Sequence, residues 1–532
     1  MLQRNERSCR LYGFKMITFT PPPSFPRVIE MSRPEYGAEP TSVESHGYHY
    51  FVTGNTVLAP ALIEKTLARE ETPREAISAL LHVYYSKGYN LVALTAQTEG
   101  RTVRISVFQG MFTEIQTPDS LGCYFSSLKN QENVRNQDII LDQILAGAYA
   151  SRSGKNISIN ISPAPNPGGA ILAVRETDQP GYFPITGSVN FGNYGSRYAS
   201  GYLAGADVAA NATHGVQITA NFLQGLPSLQ AASFGGNYYQ NGVGASMVTP
   251  YGIYGVSTAW THYRLGVKTA PLNPDGNIFS YQTYGTQLVY ADTAIRLSLN
   301  EAFYRVQYDE TAFNGYYTLL KQQYNYLSVG GNASQAVTFG GLPGSVTAGV
   351  TFSLGISGSS GTLTDNEPGV PTSHFRYTNF NLGYQQNLPY GLQANLVGQA
   401  QASAQTLPSQ QQWVLGGMGN LSAWDPGVLY GDSGYIGRFE LKSPSVTKLR
   451  TTAVLGAFIE TGGAAFRTPP AGTAPWQTLT DIGLNLKLTL PYGLSAIAIT
   501  AVEIDNSGFT ASEKHNLTLN RTDAFFVVQK SI

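Results

Sequence analysis

Charge is scarce in this chain. Asp, Glu, Lys and Arg make up 13% of its 532 residues, against about 25% in ordinary soluble domains. With 33 basic and 34 acidic residues the net charge is −1, which excludes the basic surface that a nucleic-acid binder needs. Cysteine is nearly absent. Cys9 and Cys123 lie in different regions, too few for a disulfide framework and without metal-ligand spacing, so neither metal nor cofactor is expected. No run of about 18 apolar residues occurs and mean hydropathy is only −0.13, which excludes helical membrane spans. A secretory signal is also missing. Met1–Pro26 carries Arg4, Arg7, Arg10 and Lys15 but no apolar core of about 7–15 residues. Cys9 follows Glu-Arg-Ser, unlike a lipoprotein cleavage site. A signal would have to lie upstream of Met1 or take a form not legible here. The Pro-rich stretch Pro21–Pro26 and the polar segment to Ser45 read as a linker, so residues 1–46 are assigned to an extended N-terminal segment.

What is present is alternation. Ile482, Leu484, Leu486, Leu488 and Leu490 alternate with Gly483, Asn485, Lys487 and Thr489. A period of two, oily on one face and polar on the other, marks a strand between two different media. Ile295, Leu297 and Leu299 alternate with Arg296, Ser298 and Asn300 in the same way. So do Leu392, Ala394 and Leu396 with Gln393 and Asn395, and Tyr435, Phe439 and Leu441 with Arg438, Glu440 and Lys442. A soluble sandwich gives the same alternation. Repetition over roughly 350 residues, with no helices to cover either face, instead fits a transmembrane barrel with a wet lumen. The high counts of Tyr (33) and Gly (57) suit aromatic girdles and close strand packing.

The fold class is therefore mainly β, a C-terminal transmembrane antiparallel barrel of about 16 strands over residues 183–532, with 14 or 18 strands also compatible. Strands begin after Gln179–Pro184. Pro-Tyr-Gly recurs at Pro250–Gly252, Pro389–Gly391 and Pro491–Gly493, as tight turns along one rim would. Before the barrel, residues 47–112 read as strand, two helices and two strands. Pro60 and Pro73 start the helices, Ile77, Leu80, Leu81 and Tyr84 form one buried face, and Gly88 caps the second helix. Residues 113–178 repeat the order more weakly, through Phe112–Ile115, Ile139–Ala150, Ile157–Ile161 and Ala170–Arg175. With Val52-x-Gly54-Asn55-Thr56-Val57-Leu58, Tyr84-x-x-x-Gly88-Tyr89 and Val107-x-x-Gly110, the arrangement resembles tandem POTRA domains, two small α+β modules. The resemblance implies that they bind unfolded chains at sheet edges.

Leu407–Leu441 is not an ordinary hairpin. Leu415-Gly416-Gly417 and Gly431-Asp432-Ser433-Gly434 resemble the loop base and strand entry of two-partner secretion transporters, the outer-membrane pores that export haemolysins and filamentous adhesins. In that family the loop tip reads V-R-G-[FY], and its Arg pairs with an Asp in an F-x-D-x-G strand motif. Here the tip is Leu421-Ser422-Ala423-Trp424, with Ser422 where the family has Arg. The strand motif is Phe458-Ile459-Glu460-Thr461-Gly462, with Phe458, Glu460 and Gly462 on the lumen face. A hairpin turn centred near Ser445 would put Arg438 opposite Thr452, roughly 27 Å from Glu460. Arg438 is therefore excluded as its partner, Glu460 is expected to be hydrated, and the charged latch is expected to be absent, so that Ser422→Arg would restore it.

The resemblance implies a monomeric outer-membrane pore with periplasmic modules, which passes one secreted partner protein, unfolded, between periplasm and surface. The alternative is a barrel-assembly or lipid-handling relative of the same superfamily. A passive porin would not explain the modules. Catalysis is not expected: Gly431-Asp432-Ser433-Gly434 also surrounds the nucleophile of chymotrypsin-like proteases, but none of the seven histidines sits in a recognisable base motif.

Overall fold

A computed structural model describes residues 40–165, 168–358, 363, 369–469 and 472–532. Most of the expected N-terminal segment lies outside these residues, but its last part is not a linker. Thr41–Ser45 is a strand, paired antiparallel with Tyr48–Thr53 from Thr41↔Val52 to Ser45↔Tyr48. Thr41 and Val43 face the core while Ser42 and Glu44 face out, and His46 and Gly47, both at positive φ, close the turn. Two left-handed residues in a two-residue loop suit the twist of a hairpin. The polar composition that suggested a linker is that of an edge strand with one wet face.

The first sheet runs Thr41–Ser45, Tyr48–Thr53, Thr102–Gln109, Val92–Glu99. Helices Pro60–Leu67 and Pro73–Ser86 cover it, burying Ile63, Leu67, Ala76, Leu80 and Tyr84 against Tyr50, Val52, Val103 and Ile105. Both helices open on proline, where a missing N–H costs nothing. The second sheet runs Met111–Gln116, Gly169–Asp178, Lys155–Pro163, under helix Asn136–Arg152. Its first strand starts at Met111, two residues before the expected boundary.

The residues that carried the module resemblance are structural. Asn55 Oδ1 accepts from Leu58 N at 2.9 Å and from the Tyr84 hydroxyl at 2.7 Å. Gly54 sits at φ 77° with the Val107 carbonyl 2.4 Å from where a Cβ would be, so no larger residue fits. Gly88 O accepts from Asn136 N at 2.8 Å, and Arg135 Nε donates to the Tyr89 hydroxyl at 3.1 Å. The end of the first module thus docks on the start of the second module's helix. At that helix's other end, Arg152 donates to Gly215 O at 2.7 Å and Ser246 O at 2.8 Å, and the Tyr124 hydroxyl donates to Val248 O at 3.1 Å. These carbonyls belong to one rim of the barrel, the one that faces the modules.

The barrel has sixteen strands among the described residues, from Ile185–Gly192 to Ala524–Ser531, which pair antiparallel to close it. Closure satisfies every ladder, as hydrocarbon requires. Ile482, Leu484 and Leu486 are exposed on the outer face, whereas Asn485 on the inner face donates to Glu440 Oε1 at 2.6 Å. All three Pro-Tyr-Gly turns lie on the module side; Tyr390 and Tyr492 both take φ 62° there. A helix unexpected from sequence, Ala511–Leu519, stands in the last hairpin on the opposite, outer side, capped by Thr510 and Glu513.

Two outcomes follow from these placements. Leu486→Arg puts a cation in lipid at about 2–4 kcal/mol near the midplane and should reduce assembly, scored by heat-modifiable gel mobility. Asn485→Arg meets the Glu440 carboxylate in the lumen and should assemble with altered conductance; equal damage from both would mean that the alternation does not separate a lipid face from a lumen face. In the second module, burial and the neighbouring Asp138 push the Asp142 carboxyl up to about 7, against about 3.9 unfolded. Between those values the native state holds the extra proton, so its stability falls as pH rises from about 4 to about 7. Asp142→Asn should match the wild type near pH 4 and be the more stable at pH 8. Intrinsic-rate-corrected hydrogen exchange of Asn136–Arg152 checks this.

Candidate functional site: the loop held in the lumen

The segment between strands Gln393–Ser403 and Ser433–Lys442 turns back into the barrel. Its stem is a two-stranded ribbon, Trp413–Leu415 with Leu429–Gly431. Gln411 bolts the base to the wall: its Oε1 accepts from the Tyr377 hydroxyl at 2.7 Å and its Nε2 donates to the Tyr324 hydroxyl at 3.0 Å. Asp432, 1% exposed, accepts from Leu407 N and Arg467 N, each at 2.8 Å. Gly434 packs so closely beneath Trp413 that a Cβ would lie 2.0 Å from the indole. Gly416 and Gly417 turn the chain at φ 104° and 103°, a region that favours glycine. Gly431 sits against Ala465. The glycines of the loop base are therefore space and turn requirements.

The tip is wholly buried. Leu421, Ser422 and Trp424 are 0% exposed, Ala423 is 3% exposed, and the tip packs with Leu415, Leu429, Phe458, Leu479, Ile499 and Leu517. Ser422 N donates to Glu460 Oε2 at 2.7 Å and Ala423 N donates to Asp481 Oδ2 at 2.9 Å. Successive backbone N–H groups form an anion-binding concavity, here turned on two wall carboxylates. The Ser422 hydroxyl takes no part in that contact; it accepts from Gly419 N at 3.0 Å, inside the loop.

Arg438 is the partner of Glu460, against the expectation from sequence. They stand directly opposite across the sheet, and Arg438 Nη1 lies 2.5 Å from Glu460 Oε1. The guanidinium also lies 3.9 Å from the centroid of the Phe458 ring. The exclusion rested on a hairpin turn centred near Ser445. The strand instead bulges there and continues as Val446–Lys448, and the turn is Leu449–Arg450, both at positive φ. Between the Lys442↔Gly456 and Val446↔Ala453 pairs, four steps on one strand meet three on the other, the one-residue excess of a bulge. Glu460 is 0% exposed and hydrogen-bonded, not hydrated. The latch is present, with its cation on the wall in place of the loop.

Asp481 escaped the sequence reading although it shares the lumen face with Asn485 and Lys487; it is 0% exposed and directly opposite Glu460. Side by side, two carboxylates repel, so Arg438 is what allows both to face the tip. Gly462 lies farther along Thr451–Ala465, against Ile436 and Leu415. Ser433 is engaged with Ser403, accepting from its N at 3.0 Å and donating to its O at 3.2 Å.

Removing the cation leaves two buried carboxylates together, whereas trimming Ser422 leaves both latch donors in place. Arg438→Met should therefore raise spontaneous channel opening in planar bilayers about 10- to 150-fold, the worth of one hydrogen bond to a charge. Ser422→Ala should change it little. Ser422→Arg, with no room and with Arg438 already paired, should raise opening; a decrease would mean that the tip takes its cation from the loop.

A family model described as haemolysin secretion/activation protein ShlB/FhaC/HecB matches residues 168–462. The heme/hemopexin transporter protein HuxB of Haemophilus influenzae is 22% identical over 442 residues, 81% of this chain and 76% of HuxB. CdiB from Escherichia coli matches the fold with TM-score 0.73 at 16% identity, covering 95% of this chain and 93% of that one. CdiB from Acinetobacter baumannii does so with TM-score 0.68 at 13% identity, covering 93% and 91%. With more than half of its length matched by the family model, this chain belongs to the haemolysin secretion/activation family, the outer-membrane transporters of two-partner secretion.

Proposed function

We propose that this chain captures one extended partner exoprotein on its periplasmic modules and passes it through a lumen cleared by movement of the 416–427 tip. The observation that carries this reading is the unequal anchoring of the loop. The base is held by a buried network through Gln411 and Asp432, while at the wall two backbone N–H groups meet two carboxylates. The base is fixed by side chains bonded into the wall strands, whereas the tip is held by main-chain hydrogen bonds, one ion pair and apolar packing, contacts that part together when it swings aside.

Capture would use the sheet edges Val92–Glu99, Met111–Gln116 and Lys155–Pro163, by main-chain pairing that reads little sequence. Thr41–Ser45 covers the edge that Tyr48–Thr53 would otherwise present. HuxB carries heme/hemopexin transport in its name; for this chain the cargo is a secreted partner exoprotein. The chain supplies a path and no reaction, with Ser433 engaged in holding the loop base. Deleting residues 41–178 should leave a heat-modifiable, membrane-inserted barrel that no longer exports that exoprotein. Undiminished export by the truncated chain would remove the modules from substrate recognition.

A further inference from the structure

The loop tip has a second set of contacts, on the side away from Glu460. Asp425 N donates to Asn520 O at 2.9 Å and Thr522 N donates to Ala423 O at 3.0 Å, a short antiparallel pairing of Trp424 with Arg521. The Thr522 hydroxyl donates to Asp425 Oδ1. The other Asp425 oxygen faces Arg197 Nε at 3.6 Å, an ion pair without a hydrogen bond, and both side chains are mostly buried. Tyr198 completes the group by donating to Asn520 Oδ1 at 2.8 Å.

The places of these residues in the chain are informative. Arg197 and Tyr198 lie in the loop of the first barrel hairpin, after Ile185–Gly192. Asn520–Thr522 lie in the loop of the last, before Ala524–Ser531. Those two strands form the seam where the barrel closes. Their ladder has five register pairs, from Val527↔Gly192 to Ser531↔Ser188, against eighteen between Ile295–Ala312 and Tyr317–Phe339. Above the ladder the Asn193 side chain extends it, donating to Ala524 O at 2.8 Å and accepting from Phe526 N at 2.7 Å. Above that, the contacts between the two hairpins run through Tyr198–Asn520 and through Asp425.

We infer that Asp425 is a positioning residue that clips the first and last hairpins together, so that the lumen loop braces the barrel seam while it occupies the pore. It rests on the reading of the loop as the moving part. When the tip leaves the lumen, Arg197 and Thr522 lose their common partner, and the seam keeps its five pairs, the Gly187–Ile532 hydrogen bonds, the Asn193 bridge and the Tyr198–Asn520 contact. Pore opening and seam loosening become one event. The wall latch of Glu460, Asp481 and Arg438 cannot do this, because its strands lie inside the continuous sheet.

The test uses the full chain in nanodiscs, with amide hydrogen exchange read strand by strand and spontaneous opening read in planar bilayers. Neither readout needs an exported protein, so failure of export and failure of this inference are separable. Asp425→Ala should raise channel opening and speed exchange of 188–193 and 524–531 by about tenfold, as loss of a charged hydrogen bond implies. Arg376–Asn387, away from the seam, should stay unchanged. Asp425→Asn keeps an acceptor for Thr522 and loses the charge facing Arg197; it should give a smaller change of the same kind, and it stands in if the alanine variant does not assemble. Unchanged seam exchange, or exchange raised equally in all strands, overturns the inference, even where opening increases.

Discussion

Two carboxylates on neighbouring strands, facing the same buried spot, are the constraint on which the lumen is organised. Glu460 and Asp481 would repel each other and leave unpaired charge behind if nothing met them. Arg438 answers from one side and the loop tip answers from the other, with backbone N–H groups that need no particular side chain. This explains how a tip reading Leu-Ser-Ala-Trp can dock where relatives use arginine. It also explains the burial of Trp424: once the polar work is done by the main chain, the tip's side chains are free to fill an apolar cluster within the lumen.

The sheet around this site follows from hydrocarbon as a solvent. Backbone groups must be paired, so the strands close on themselves; outward side chains must be oily, so the polar residues collect inside. Charged residues on the inner face concentrate on Ser433–Lys442, Thr451–Ala465, Gln477–Thr489 and Leu494–Ser507, where the loop docks. The modules at one rim and the interlinked outer loops at the other then fix a direction, from the Arg152 contacts at the entrance to helix Ala511–Leu519 at the exit.

Much of this was legible in the primary structure, because a period of two reports both conformation and face. Ile482, Leu484 and Leu486 read as lipid-facing and are exposed on the outside, and the Gly-rich loop base read as a fold-back from the Leu-Gly-Gly and Gly-Asp-x-Gly signals. Three things were hidden. The turn near Leu449–Arg450 was expected near Ser445, beside Pro444, where the strand bulges and continues; that shift moved the register and separated Arg438 from Glu460. Thr41–Ser45 is too short and too polar to stand out from a linker. Asp481 and Asp425 are ordinary in sequence and acquire meaning only from strands and loops remote in the chain. Helix Ala511–Leu519 was passed over, although the Thr510-x-x-Glu513 capping box that opens it is a sequence signal.

Placing the cation on the wall changes what is left when the loop departs. In the family arrangement the positive charge travels with the loop and strands an anion in the open channel. Here Arg438 remains beside Glu460, so at this contact the displaced tip withdraws only neutral amide groups, and the charge it carries off is that of Asp425, from Arg197. The fixed charge at Glu460, Asp481 and Arg438 is the same whether the loop is in or out, while that around Arg197 becomes more positive on opening. A passing polypeptide then meets, at Glu460, a carboxylate that keeps its own counter-ion, Arg438.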